Sequence, residues 1–182
     1  WRLSDKRYQL LNQEHSGEWT WHLDVAPDAV TPALNLLAQA LRAQGQCGPW
    51  RDEQLAVCNA HGERLGTIER GAVRVLGIAT RAVHLVGRAP DGRIWVQQRS
   101  KTKPNNPGMW DTLMGGMVSA ADTLQQALER ETWEEAGLRL PALHGVELGG
   151  QVDFSRPSRE GGGVGYMVER IDWFRCTVPE GL

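Results

Sequence analysis

Apolar residues recur at helical spacing in the first part of the chain. Thr31 is a residue type that caps helices, Pro32 suits a first turn, and Gly45 is a typical helix end. The apolar positions between them are Leu34, Leu37 and Leu41. This pattern predicts an amphipathic helix that serves packing rather than chemistry.

Apolar runs bounded by turn residues predict strands in both halves of the chain. In the first half, QLAVCN (54–59) and LGTIE (65–69) flank the turn AHGER as a hairpin, and Trp19 and Trp21 alternate like one face of a strand. The strand-like runs of the second half are AVHLVGRA, RIWVQQRS, WDTLMGGMV, VELGGQVDF and IDWFRCTV. We therefore predict a small α+β domain over residues 1–75 and a second domain over residues 76–182.

A second helix, predicted from Thr123 to a stop at Gly137, carries acidic residues in line with its own apolar stripe. The apolar positions are Leu124, Ala127 and Leu128. At about 100° per residue, Glu131 and Glu135 fall on the same side, and Glu134 lies slightly off it. Carboxylates that face a core are costly to desolvate, so this stripe indicates a nearby cation or a water-filled cleft.

Composition excludes several classes of protein. The 182 residues are 41% hydrophobic, enough for one large domain or two small ones. With 20 basic and 22 acidic residues the formal net charge is -2, so no overall basic field favours nucleic acid or an anionic membrane. No apolar run reaches the roughly 18 residues of a membrane helix, and WRLSDKRYQL lacks a signal-peptide pattern. We predict a cytoplasmic protein without a membrane or nucleic-acid partner.

The cysteines suggest neither disulfides nor zinc. Cys47, Cys58 and Cys176 are odd in number, widely spaced and without a CxxC pair. We expect buried, reduced thiols.

The acidic helix carries the candidate chemistry. Glu131, Glu134 and Glu135 stand at i, i+3 and i+4, so their side chains can converge beside the helix, and Arg130 can pair with Glu134. A solvated acidic face is the alternative, which the alignment with the apolar stripe weakens. Oxygen ligands at this spacing suit Mg²⁺, which commonly binds substrate phosphates, with Mn²⁺ as a substitute.

The same residues resemble the Nudix box of the Nudix hydrolases. The matching positions are Gly116, Arg130, Glu131, Glu134, Glu135 and Gly137. The family pattern is Gly, five residues, Glu, seven residues and Arg-Glu-U-x-Glu-Glu-x-Gly-U, where U is bulky and aliphatic. Asp122 stands where the pattern has Glu, as an outer ligand or a helix cap, and Thr132 stands at the first U.

The resemblance extends over residues 76–178 and implies an α/β/α sandwich around a mixed sheet, here lacking the family's final C-terminal helix. The stretches GTIERGAVRVLGIATRAVHLVG and QQRSKTKPNNPGMWDTLMGGMVS also resemble a subgroup with a small N-terminal domain, related to thiamine pyrophosphokinase-like Nudix proteins. For some members this implies hydrolysis of oxidised or damaged thiamine diphosphates.

The implied reaction is Mg²⁺-dependent cleavage of a small-molecule diphosphate by water attack on phosphorus. Glu131 and Glu135 are the first choices as metal ligands, and Glu134 is a ligand or the base. Arg130 belongs to the same catalytic set. In many family members a glutamate outside the box joins the metals, and Glu169, before the strand IDWFRCTV, is the best placed. Two further glutamates remain alternatives, Glu147 and Glu160.

Basic residues before the acidic helix are candidates for substrate binding. Arg99, Lys101 and Lys103 could pair with phosphate oxygens, although solvated loop charge is the alternative for the lysines. Gly116, from the box, is a further candidate. Two tryptophans, Trp110 and Trp173, could stack on an aromatic substrate, with core packing favoured for both. The glycines at 161–163 could approach phosphate, but a mobile loop is favoured because the P-loop spacing is missing.

Other functions are less well supported by the sequence. A catalytically silent Nudix-fold module that binds a metabolite would be expected to lose carboxylates from the box, and this chain retains them. An isopentenyl diphosphate isomerase-like enzyme would need a cysteine in the strand TLMGG, which has none. RNA decapping lacks a basic aromatic surface. A homodimer is left open.

Overall fold

The computed structural model describes residues 9–15, 18–102, 106–159 and 165–182, with side chains from His22 onward. The chain divides into two compact units. Unit 1 comprises Trp1–Ala79 with Arg156–Met167, and unit 2 comprises Thr80–Ser155 with Val168–Leu182. The domain boundary after residue 75 stays a prediction, and a short segment from late in the chain belongs to the first unit.

Unit 1 contains two antiparallel hairpins and a helix among its described residues. Its elements are β1 (Gln9–His15), β2 (Glu18–Asp24), α1 (Val30–Ala43), β3 (Gln54–Cys58) and β4 (Arg64–Glu69). Strands β1 and β2 pair with each other, as do β3 and β4. The predicted hairpin and helix are therefore confirmed, and β2 contains the predicted Trp19 and Trp21 strand.

Helix α1 packs on β4 through polar as well as apolar contacts. The Asn35 amide donates to the Thr67 carbonyl at 3.1 Å and accepts from the Glu69 N–H at 3.1 Å. The Thr31 hydroxyl accepts from the Thr67 N–H at 3.0 Å. Backbone groups on the open edge of β4 are thus satisfied by side chains one helical turn apart. The predicted Thr31 cap is wrong, because the helix begins one residue earlier and this hydroxyl serves the strand.

Unit 2 is built on one sheet with a helix over it. The described elements that lie wholly or mainly in unit 2 are β5 (Ala79–Arg88), β6 (Ile94–Trp95), β7 (Gln97–Gln98), β8 (Trp110–Asp111), β9 (Met114–Met117), α2 (Leu124–Ala136), β10 (His144–Ser158) and β11 (Gly165–Thr177). The sheet order is β10-β11-β5-β6, and β9 also pairs with β5. The pairs β5·β6, β5·β9 and β7·β8 are antiparallel.

The core of unit 2 lies between this sheet and α2. Its buried members are Val83, Leu85, Met114, Ala127, Leu128, Leu140, Leu143, Cys176 and Val178. The α/β class is confirmed. The second helical layer of the expected sandwich is not among the described residues.

Two predicted strands are each interrupted. The run RIWVQQRS forms β6 and then β7, which pairs with β8 in a separate two-stranded sheet. The run WDTLMGGMV forms β8 and β9, with Thr112 and Leu113 between them. The prediction of single strands was wrong because each run changes its pairing partner part of the way along, which periodicity does not reveal.

Helix α2 begins and ends as predicted. Thr123 and Gln126 form a reciprocal capping box, with the Gln126 N–H donating to the Thr123 hydroxyl at 3.2 Å and the Thr123 N–H donating to the Gln126 side chain at 2.8 Å. Gly137 ends the helix at φ 67°, a left-handed conformation that favours glycine. No described helix is both long enough and apolar enough to span a membrane.

None of the three cysteines, all of which are described, forms a disulfide bond, and their burial differs. Cys176 is buried in the core of unit 2, and burial raises the pKa of its thiol to about 11. Cys58 is exposed and Cys47 is only partly buried, so the expectation of buried thiols is confirmed for Cys176 alone.

The buried carboxylate of Asp172 joins three strands of the sheet through contacts with Arg81 and Gln151. Asp172 on β11 is 1% exposed and accepts from Arg81 Nε at 2.6 Å, from Arg81 Nη2 at 3.1 Å and from Gln151 Nε2 at 2.7 Å. Burial acts to raise the pKa of Asp172, but the hydrogen bonds from Arg81 and Gln151 outweigh it and lower this pKa. The ionised carboxylate is therefore the form that stabilises the sheet.

We expect Asp172→Asn to lower the free energy of unfolding by about 2 kcal/mol at neutral pH, because a charge-assisted contact is lost. A carboxylate whose pKa is lowered by folding contributes stability above its unfolded pKa and loses it as the pH falls through the folded pKa. The gap between wild type and variant should therefore be larger at pH 7 than at about pH 3 in urea titrations. An equal gap at both pH values would contradict the assignment.

Candidate active site

The Glu131 carboxylate lies directly against the backbone of β9. Glu131 is 8% exposed, and a methyl group placed on Gly116 would overlap its carboxylate atoms. Strand register explains the position, because Gly116 pairs with Val83 in the centre of β5, beneath α2. A glycine at 116 is therefore what lets the third turn of α2 bring a carboxylate onto the strand.

Arg130 is the cation that accompanies this buried carboxylate. Its Nη1 donates to Glu131 Oε1 at 2.8 Å, and its Nη2 donates to Asp122 Oδ2 at 2.9 Å. Burial raises the pKa of Glu131, and the charge and hydrogen bond of Arg130 oppose that rise. Burial would lower the pKa of Arg130, but Asp122 and Glu131 outweigh it and raise this pKa.

Asp122 accepts hydrogen bonds from Arg130 and does not cap α2. It stands where the family pattern has glutamate, and both Nε and Nη2 of Arg130 donate to its Oδ2, at 3.1 and 2.9 Å. The interpretation of Asp122 as a helix cap is wrong, because Thr123 provides the cap.

Glu135, one turn further along α2, reaches the neighbouring glycine. Its Oε2 accepts from the Gly115 N–H at 3.2 Å and from Gln97 Nε2 at 2.9 Å. Glu131 and Glu135 therefore both contact the two-residue segment Gly115–Gly116, one through side-chain packing and the other through a backbone hydrogen bond. Carboxylates at i and i+4 thus meet the same short stretch of strand.

Glu134 is more exposed than its neighbours. Its side chain is 55% exposed, and its Oε2 lies 3.4 Å from Arg130 Nη1, as the predicted i, i+4 pair. Among the described residues, no three His, Cys, Asp or Glu side chains form a ready metal centre. The donor set nevertheless fits Mg²⁺, because it offers hard oxygen atoms beside a backbone segment without side chains. The three glutamates as metal ligands stay a prediction.

Two of the three additional glutamates, Glu169 and Glu147, have described side-chain contacts. Glu169 lies within β11, not before the strand as predicted, and accepts from the Thr80 hydroxyl at 2.9 Å. Thr80 precedes Val83, the partner of Gly116, by three residues, or about 10 Å along β5. Glu147 is exposed and pairs with Arg175 at 2.8 Å. Glu160 lies outside the described residues.

The basic candidates for substrate binding differ in their exposure and in their contacts. Arg99 is largely buried, and its Nη1 lies 3.1 Å from Asp111 Oδ2. Lys101 is exposed, and Lys103 lies outside the described residues. Of these residues, Arg99 has an oriented guanidinium group.

The two tryptophan candidates differ in their surroundings. Trp110 is 67% exposed, so the favoured core packing was wrong for this residue. The Trp173 ring lies over Gly149 and Gly150, where an added methyl group on Gly149 would overlap the ring. The glycines at 161–163 lie outside the described residues.

Four polar residues near the glycine segment were not singled out from the sequence. His84 Nδ1 lies 2.9 Å from the Thr112 hydroxyl and 3.8 Å from Asp111 Oδ1, and Gln97 contacts Glu135. His84 did carry a signal, since it is the only polar side chain in the apolar run AVHLVG. The others carried none, because they come from separate short strands and a turn.

The family model for the NUDIX domain matches residues 79–181, more than half of the chain. The chain therefore belongs to the Nudix family. It is 34% identical over 86 residues to an uncharacterized Nudix hydrolase of Streptomyces coelicolor, covering 47% of this chain and 48% of that protein. It is 32% identical over 92 residues to a Nudix hydrolase of Deinococcus radiodurans, and the match covers 50% of this chain and 54% of that protein. The chain spans about half the length of the curated relatives it matches.

Solved structures align more loosely. The crystal structure of a Deinococcus radiodurans protein aligns with a TM-score of 0.45 and 26% sequence identity. The alignment covers 66% of this chain and 72% of the other chain. The crystal structure of an Ap4A hydrolase of C. elegans aligns with a TM-score of 0.42 and 18% sequence identity. The alignment covers 58% of this chain and 74% of the other chain.

We expect Gly116→Ala to destabilise the protein by about 1 to 3 kcal/mol, because the new methyl group displaces the Glu131 carboxylate from its seat. In a Glu131→Ala background the same substitution should cost much less. Urea unfolding of the four variants in this double-mutant cycle should give a coupling energy of about 1 kcal/mol or more. Additive costs would show that the two residues do not share the contact.

Proposed function

We propose that this protein is a Mg²⁺-dependent Nudix hydrolase that cleaves a diphosphate linkage by water attack on phosphorus. The observation that carries the proposal is the arrangement of Glu131 and Glu135 on the Gly115–Gly116 segment of β9. Family membership supports the reaction class, and the retention of Glu131, Glu134 and Glu135 in the box argues against a silent binding module.

Glu131 and Glu135 are the residues that would hold the metal ion, with Glu134 as a third ligand or as the base. A bound Mg²⁺ supplies charge neutralisation at the diphosphate and alignment of the attacking water. Arg130 opposes the rise that burial causes in the pKa of Glu131, and its hydrogen bond orients the carboxylate. Gly115 and Gln97 orient Glu135, and Glu134 has the exposure that a proton acceptor needs.

Substrate binding is assigned to the basic residues that precede β9. Arg99 is the best supported, because Asp111 orients its guanidinium group for contacts with phosphate oxygens. Lys101 and Lys103 are secondary candidates, and Gly116 offers close backbone approach. We propose substrates among thiamine diphosphate-like compounds or nucleoside diphosphate derivatives. A small N-terminal domain, a homodimer, use of Mn²⁺ and a cytoplasmic location stay predictions.

The deciding experiment is incubation of the purified protein, with and without Mg²⁺, with thiamine diphosphate, its oxidised analogues, ADP-ribose and nucleoside triphosphates, followed by mass analysis of the products. We expect metal-dependent cleavage of one compound class. Metal-dependent binding without any cleavage would instead favour the metabolite-binding module.

We expect Glu135→Gln to lower turnover by several orders of magnitude without unfolding the protein, because it removes a charge but little volume. Steady-state kinetics on the best substrate, with circular dichroism of the same samples, would measure this. Unchanged turnover in the folded variant would end the assignment of Glu135 as a metal ligand.

We expect Arg99→Ala to raise KM with a smaller effect on kcat, because the guanidinium group acts in binding rather than in the chemical step. Lys101→Ala is the matched control, since its exposed side chain should contribute less. A loss of folding in Arg99→Ala alone would mark this residue as structural, through its contact with Asp111.

A further inference from the structure

His84 is held in one orientation and one protonation pattern by a turn of the chain between β8 and β9. The Thr112 hydroxyl donates to the Met114 carbonyl at 2.8 Å, and a carbonyl can only accept. The single hydroxyl proton is therefore used, so the contact at 2.9 Å between Thr112 and His84 Nδ1 requires the ring to donate. The Nδ1–H form of His84 follows from these two contacts.

The ring of His84 lies against Gly115. These two residues face each other in the β5·β9 pair. A methyl group on Gly115 would stand 2.8 Å from Nδ1 and 2.8 Å from Nε2, which is closer than such atoms pack. The ring therefore occupies the space of a side chain at 115 and limits where the Gly115 backbone can lie.

Gly115 is also the residue whose N–H donates to Glu135 Oε2, at 3.2 Å. The contacts form a continuous series from His84 through Gly115 to Glu135, while Thr112 ties both His84 and the Met114 carbonyl to the same turn. The direction of the Gly115 N–H depends on this turn. Gln97 then holds the same carboxylate oxygen from a different strand.

We propose that His84 is a positioning residue for Glu135, acting through the Thr112 hydroxyl and the Gly115 backbone, and that it strengthens divalent-cation binding by that carboxylate. This inference rests on the proposed metal role of Glu135. His84 has no direct contact with the carboxylate among the described residues, so its effect is on the orientation of the ligand. Hydrogen-bonding partners of metal ligands commonly contribute about 10- to 100-fold to metal affinity.

The first test measures the form of the histidine ring without any metal. Long-range proton–nitrogen NMR correlations at a pH where the ring is neutral should show the proton of His84 on Nδ1. Thr112→Val, which keeps the shape but removes the hydroxyl, should abolish that preference, and Thr112→Ser should keep it. A proton on Nε2 in the wild-type protein would overturn the proposal.

The second test measures binding of Mn²⁺ alone, by electron paramagnetic resonance of the free ion, in the absence of substrate. We expect Thr112→Val to weaken Mn²⁺ binding about tenfold and Thr112→Ser to restore it. The matched control is Thr132→Val, which removes another buried hydroxyl, on α2, but places there the aliphatic type of the family pattern. It should leave Mn²⁺ affinity unchanged.

Equal Mn²⁺ affinity in wild type and Thr112→Val would overturn the positioning role. If Thr112→Val does not fold, His84→Phe serves instead, because it keeps a ring against Gly115 but lacks the donor, and the same tenfold loss is expected. Mn²⁺ binding without cleavage of any diphosphate would refute the proposed reaction but leave this inference standing. Absence of Mn²⁺ binding by the wild-type protein would refute both.

Discussion

Burying the Glu131 carboxylate requires a cation, and Arg130 supplies it from the adjacent position on the same helix. A buried carboxylate without a partner would take up a proton, since desolvation favours the neutral form. Arg130 is itself held by Asp122, which follows β9 and precedes the helix cap. The loop, the helix and the strand are therefore tied together by one group of charges.

The two carboxylates of Glu131 and Glu135 contact the pair of glycines in β9. Gly116 leaves room for the Glu131 side chain, and Gly115 presents its N–H to Glu135 on the open edge of the strand. A side chain at 116 would push α2 away from the sheet, and a side chain at 115 would meet the ring of His84. The short strand thus combines the two properties that a carboxylate site needs, which are close approach and a backbone donor.

The remainder of unit 2 stabilises this arrangement from a distance. The core of aliphatic residues places α2 over β5 and β9, and the Asp172 network joins β10, β11 and β5. Arg99 and Asp111 form a second charged pair. Arg99 directly follows β7, and Asp111 is the last residue of β8 and lies close to His84. Arg99 and Asp111 therefore lie where short strands end and the backbone turns, as is usual for functional residues on a rigid scaffold.

Local sequence patterns were enough to predict the two ends and the acidic face of α2. The helix start at Thr123, the stop at Gly137 and the i, i+4 spacing of Glu131 and Glu135 depend on residues within one or two turns, so periodicity and helix-end signals predict them. The tertiary structure alone decided that these glutamates meet Gly115 and Gly116, that Asp122 holds Arg130, that Thr31 serves β4, and that two predicted strands break. Those outcomes depend on strand register and on pairing between distant segments, which local patterns do not encode.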